Sequence, residues 1–231
     1  MSDDIHHDDE DAVTLIDFET EFAFIRVVEN TLLPSHIKLK AEVVPSGEHS
    51  TDDFDVAISK IRFWFENIVS RCVAFSRSNP NAVAMLIDKD GRNQSGNLLM
   101  LCPDEPSDEH LGALFQAKMN ALAAGSLHFG SVTVRSDNVT GLVFTFVGIA
   151  EDLLPEMPNW VGDRSYFDAP WWGRDDASTM DVIPGPDADL SKPPAWAYSL
   201  DFIGKMVKPD QNVVIRPEFR PTVIDGGKRD D

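Results

Sequence analysis

Phe54, Ile58, Ile61, Phe65, Ile68, Cys72 and Phe75 recur at intervals of 4, 3, 4, 3, 4 and 3. That rhythm follows the 3.6-residue turn of an α-helix and lines seven apolar side chains along one face, so the spacing predicts an amphipathic helix over 52–77. Thr51 is the expected N-cap. Asp52, Asp53 and Asp55 suit the positive end of the helix dipole, and Pro80 closes the segment. Trp64, Val69 and Val73 widen the stripe, which places this helix at the centre of a core. Phe63 falls on the opposite side, one heptad after Val56. It is an apolar spot that can receive another part of the chain or a partner.

A helix of this kind needs a second layer to cover it. Residues 37–44 alternate Ile37, Leu39, Ala41 and Val43 with Lys38, Lys40 and Glu42, the pattern of a half-buried strand. Phe18–Leu33 places Phe18, Phe22, Ile25 and Leu32 at helical intervals and is expected to be a helix ending at Pro34, although FAFIRVV alone would serve as a strand. Ala82–Ile87 and Asn97–Cys102 read as two strands of a hairpin joined by the polar loop DKDGRNQSG. Ser107 caps a helix that buries Leu111, Leu114, Phe115, Met119 and Leu122 and stops at Gly125. Leu127–Arg135 and Gly141–Gly148 form a further hairpin. The expected fold is α+β: a mostly antiparallel sheet of hairpins covered by helices, with a long irregular Pro/Trp-rich C-terminal arm.

Charge divides the chain in the same way. The net charge is −19, but residues 1–20 carry eight acids and no Lys or Arg, and residues 21–149 carry 15 acids against 11 bases. Residues 150–231 carry 16 acids against nine bases. The middle is therefore an ordinary domain, and much of the acidity sits at the ends. This delimits an acidic flexible N-terminal tail (1–17), an α+β body (18–150) and an extended arm (151–231). Binding nucleic acid through general basicity is excluded, because phosphate neutralisation needs clustered Lys and Arg. No apolar run is long enough to span a membrane, and the acidic start is unlike a secretory signal. With only two cysteines, a disulfide framework is not expected, and a cytoplasmic (or virion) location fits better than secretion.

The arm holds ten of the 15 prolines and four of the five tryptophans. Disordered linkers are poor in aromatics, so this stretch is expected to be bound to something, either its own body or a neighbouring subunit. The candidate interaction residues are Trp160, Arg164, Tyr166, Phe167, Trp171, Trp172, Arg174, Trp196 and Tyr198, together with Phe63 on the body. Aromatic and Arg side chains give large contact areas with few rotamers to freeze.

Catalytic motifs are missing. There is no phosphate-binding glycine loop, no nucleophile elbow, no HExxH and no CxxC. Cys72 lies in the helix stripe and Cys102 ends an apolar strand, so both read as inert thiols. His6 and His7 beside Asp8 and Asp9 give no fixed metal geometry, and in DKDGRN Gly91 comes too early for a calcium loop, Arg92 takes a ligand position and no Glu follows at the twelfth place. No cofactor and no metal are expected. The leading expectation is a non-enzymatic structural or assembly subunit, docking on a protein partner or a second copy through its aromatic arm; virion components are often built this way, an analogy only. Two alternatives stand beside it. One is an acidic inhibitor or adaptor occupying a basic site on a partner enzyme. The other is a hydrolase using the carboxylates of 159–181: Asp163, Asp168, Asp175, Asp176 and Asp181.

Overall fold

The computed structural model describes residues 16–46, 49–88, 93–138 and 141–192. Six strands, β1 (Ile16–Val28), β2 (Thr31–Pro45), β3 (Cys72–Ser76), β4 (Leu98–Cys102), β5 (Leu127–Ser136) and β6 (Phe144–Val147), form one sheet in the order β4-β3-β1-β2-β5-β6. Helices α1 (Thr51–Phe63), α2 (Pro80–Leu86), α3 (Asp108–Ala123) and the single turn α4 (Met157–Trp160) complete it.

The α+β class holds, but the sheet of hairpins does not. The sheet is mixed: β1·β2, β2·β5 and β5·β6 pair antiparallel, whereas β1·β3 and β3·β4 run parallel. Three local competitions produce the difference. Phe18–Leu33 is not a helix but most of β1, the turn and the start of β2 in a long hairpin. Its strand alternation wins because Phe18, Phe22, Phe24 and Arg26 bury one face, and Glu29 and Asn30 take φ of 47° and 65° at the turn. Ala82–Ile87 is not a strand. Pro80 opens α2, and the Asn79 side chain accepts hydrogen bonds from the backbone N–H of Asn81 and Ala82. The expected hairpin is thus a β3–α2–β4 crossover, which makes β3 and β4 parallel.

The third difference lies in the seven-residue stripe. Phe54, Ile58 and Ile61 do point to the core from α1, and Phe65 does so just beyond it, but the cap is Ser50 rather than Thr51, in a reciprocal pair with Asp53. A π-turn at Trp64–Ile68 and a 3₁₀ turn at Val69–Arg71 then unwind the helix, and Cys72 and Phe75 belong to β3. The apolar period fits both because β3 is buried on both faces. The Ser107 helix and the β5–β6 hairpin stand as expected.

The core is aromatic. Phe22 stacks on Phe65 (4.9 Å between ring centres) and meets Phe115 edge-on (5.7 Å). Trp64 links this group to Trp171 at 6.3 Å, and Trp171, Trp172 and Trp160 continue it. The core therefore does not end at residue 150. The described part of the arm lies over α3 and along the free side of β4, where Leu101 N–H donates to Thr179 O and Thr179 Oγ1 donates to Leu99 O.

Candidate functional site

The arm is fixed by a polar lock. α3 presents Leu111, Phe115, Lys118 and Leu122 along one face, so Lys118 is carried into the core by the same period that buries its neighbours. Its side chain is fully buried, and its Nζ donates to Trp171 O (2.8 Å), Arg174 O (2.7 Å) and Asp176 Oδ1 (3.5 Å). Three acceptors match the three N–H bonds of an ammonium. Burial pushes the Lys118 pKa down to about 7, and Arg174 adds to the fall while Asp176 opposes it.

Around Lys118 the carboxylates of Asp176 and Asp181 are both occupied. Arg174 donates to Asp176 Oδ2 (3.1 Å) and Asp181 Oδ1 (2.7 Å), and Asp181 Oδ2 accepts from the Trp160 indole N–H (2.8 Å) and the Trp171 backbone N–H (2.9 Å). Burial alone would raise the Asp176 pKa. Lys118, the hydrogen bonds from Ser178 and the Arg174 charge outweigh it, and the net direction is down. A proton-donating carboxyl in a hydrolase needs the reverse. Asp163, Asp168 and Asp175 lie outside these contacts, on the more open side of the arm. The cluster acts as a clasp that holds the arm to its own body.

The sequence candidates separate accordingly. Trp160, Trp171 and Trp172 are core residues, at 2%, 0% and 5% exposure. Phe167 is half-buried under the Arg174 guanidinium, 3.9 Å from its ring centre, and Tyr166 is half-buried. Arg164 is exposed and holds the carbonyls of Gly185, Pro186 and Ala188. Phe63 is exposed at the end of α1. Trp196 and Tyr198 lie outside the described residues.

Two features escaped sequence reasoning. Lys118 was marked by a charged residue in the 4–3–4 stripe of α3. The second is an apolar rim at the β6 end of the sheet: Leu142, Val143, Val147, Ile149 and Leu153 are all exposed, Val147 at 75%. The run from Gly141 to Ala150 holds no charged residue. Beside it the outer face of the sheet is a ladder of ion pairs, Lys40 with Asp17 (2.7 Å) and Lys38 with Glu21 (3.2 Å), around an open cleft of about 630 Å³ that also includes Arg62 and Arg135. Exposed pairs of this kind contribute little to stability.

Among the described residues, no group of three or more His, Cys, Asp or Glu is placed to hold a metal ion, and no helix is long and apolar enough to cross a membrane. Cys72 and Cys102 are buried; burial pushes the Cys72 thiol up to about 12 and Cys102 higher still, so neither thiolate is available near neutral pH.

No family model matches the chain, and no curated protein matches it. Among solved structures it is similar to two catalytic-residue mutants of 6-pyruvoyltetrahydropterin synthase from Plasmodium vivax, each with a TM-score of 0.32 and 11% identity over 59% of this chain and 98% of that one. Another structure of the same enzyme gives 0.31 at 13% identity, with the same coverage. At that level the likeness assigns neither a reaction nor residues to this chain.

Proposed function

We propose that this protein is a non-catalytic structural or assembly subunit that works by protein–protein contact in a larger complex, in a cytoplasmic or virion assembly. The observation that carries this reading is the apolar rim beside the β6 edge. Five exposed aliphatic side chains fall between Leu142 and Leu153 in a chain of net charge −19. Contiguous exposed apolar surface marks an interaction site far more often than scattered single residues do. The three buried tryptophans are already spent on the body, so the contact surface moves from the described arm to this rim.

Sedimentation of extracts from cells that naturally make the protein tests the reading. The native chain is expected in particles heavier than its own 25.6 kDa. A variant carrying Leu142→Glu and Leu153→Glu, with unchanged thermal unfolding, is expected at the monomer position. A native chain that sediments as a monomer overturns the proposal.

A further inference from the structure

The assembly reading does not name a partner, but the edge beside the rim does. A sheet has two edges, and natural proteins protect them with charge, proline, bulges or a covering segment. Here the β4 edge is covered by the arm through Thr179. Beyond Ile25 and Arg26, where β3 pairs, the N-terminal half of β1 is met by Arg62, whose guanidinium donates to Glu19 O. Among the described residues the β6 edge has none of these devices. Phe144–Val147 is the last strand, its sequence FTFV carries no Lys, Pro or acid, and among the described residues no strand pairs with its free side.

We infer that β6 pairs antiparallel with β6 of a second copy of this chain, about a two-fold axis at Thr145, joining two six-stranded sheets into one; this rests on the assembly reading above. The two-fold requires that opposed side chains share a face, so residue numbers across the pair sum to an even value. With Thr145 on the axis, Val143 of one copy stands opposite Val147 of the other, twice. The β5–β6 register puts Thr145 and Val147 on the outer face, where Thr145 Oγ1 lies 3.0 Å from Thr133 Oγ1. Both valines are exposed, at 55% and 75%. Pairing covers them with β-branched partners, the cross-strand combination that sheets favour.

Charge selects a second copy over an acidic or basic partner. Two chains of −19 repel at long range, yet the eight residues Leu142–Ile149 that meet in this pairing are all uncharged, so no like charges are brought face to face. A basic partner would find nothing to recognise in them. The opposed valines and the axial threonine are, by contrast, complementary to themselves.

Sedimentation equilibrium of the purified full-length chain tests the pairing. A species of twice 25.6 kDa is expected. Its dissociation constant should fall several-fold as ionic strength rises from about 0.01 M to about 0.15 M, because screening shortens from ~30 Å to ~8 Å and weakens the mutual repulsion. Val147→Lys is expected to raise the dissociation constant at least about tenfold without lowering thermal stability. Thr145→Cys is expected to give a disulfide-linked dimer with a mild thiol oxidant, whereas Cys placed at exposed Leu32 is not. A monomer under all these conditions, or a dimer untouched by Val147→Lys, overturns the pairing. If the native chain still sediments in heavy particles from extracts, the assembly reading survives and its partner is another protein. Association that weakens with added salt points to a basic partner and also overturns the pairing.

Discussion

Trp64 and Trp171 stand side by side in one core, yet their indole N–H groups differ. That of Trp171 donates to Leu101 O at 2.9 Å, and that of Trp64 is buried without an acceptor among the described residues. Trp64→Phe deletes an unsatisfied donor along with some packing, whereas Trp171→Phe also strands a carbonyl. Trp171→Phe is expected to be the more destabilising by about 1–3 kcal/mol, read as urea midpoints with an unchanged slope. Lys118 gives the second test at this scale. Its pKa is lowered on folding, so between about pH 7 and the unfolded value near 10.5 the unfolded chain holds a proton that the folded chain sheds. Stability from this group therefore rises with pH across that window and is level below it. Lys118→Met is expected to flatten the rise in urea midpoint between about pH 7 and pH 10. Lys118 and Arg26 are charges at inward positions of otherwise apolar patterns, a mark open to reading in the sequence although neither residue was singled out and the segment of Arg26 was expected to be a helix. Their acceptors were not legible, since Asp176 and Asp108 are brought to them only by the fold.

The elements are tied by a second polar group at the other end of β1. Arg26 reaches Asp108 Oδ1 (2.6 Å) at the first turn of α3, Ser35 Oγ (2.8 Å) on β2 and Asn138 Oδ1 (2.8 Å) in the β5–β6 turn. One side chain thus sets the spacing of two strands, a helix start and a hairpin. Arg26→Met is expected to cost about 3–5 kcal/mol, because it leaves the largely buried Asp108 carboxylate without its cation. The pair Arg26→Met with Asp108→Leu is expected to recover a large part of that loss, measured as the coupling in a double-mutant cycle. At this scale the strands and helices that carry their own period, such as β2, α3 and the β5–β6 hairpin, were legible. Ala82–Leu86 was not, because five mostly apolar residues suit either state and only the Asn79-Pro80 start decides it. The parallel pairing of β3 with β4 comes from that one helix.

For the whole molecule the arm is the decisive part. Sequence texture sets a boundary at 150, with a body expected to fold without the arm. The core, however, takes in Leu154, Met157, Trp160, Val161, Trp171 and Trp172. A chain ending at residue 150 is expected to lose its cooperative thermal transition and to be cut rapidly by protease, because six large apolar residues leave the core and Lys118 loses all three acceptors. A chain ending at 192 keeps every contact described above and is expected to unfold near the full-length temperature. The tryptophans were visible as groups that had to be covered. Which surface would cover them was not, since an irregular segment has no period to show its buried side.

Synthesis runs from the N-terminus, and the last residue needed to close the clasp on Lys118 and Trp160 is Asp181. A chain that stops earlier leaves the core unclosed, and local opening of that kind is what exposes a chain to protease. The late clasp therefore sets a length requirement: resistance to protease is expected only in a chain translated through Asp181.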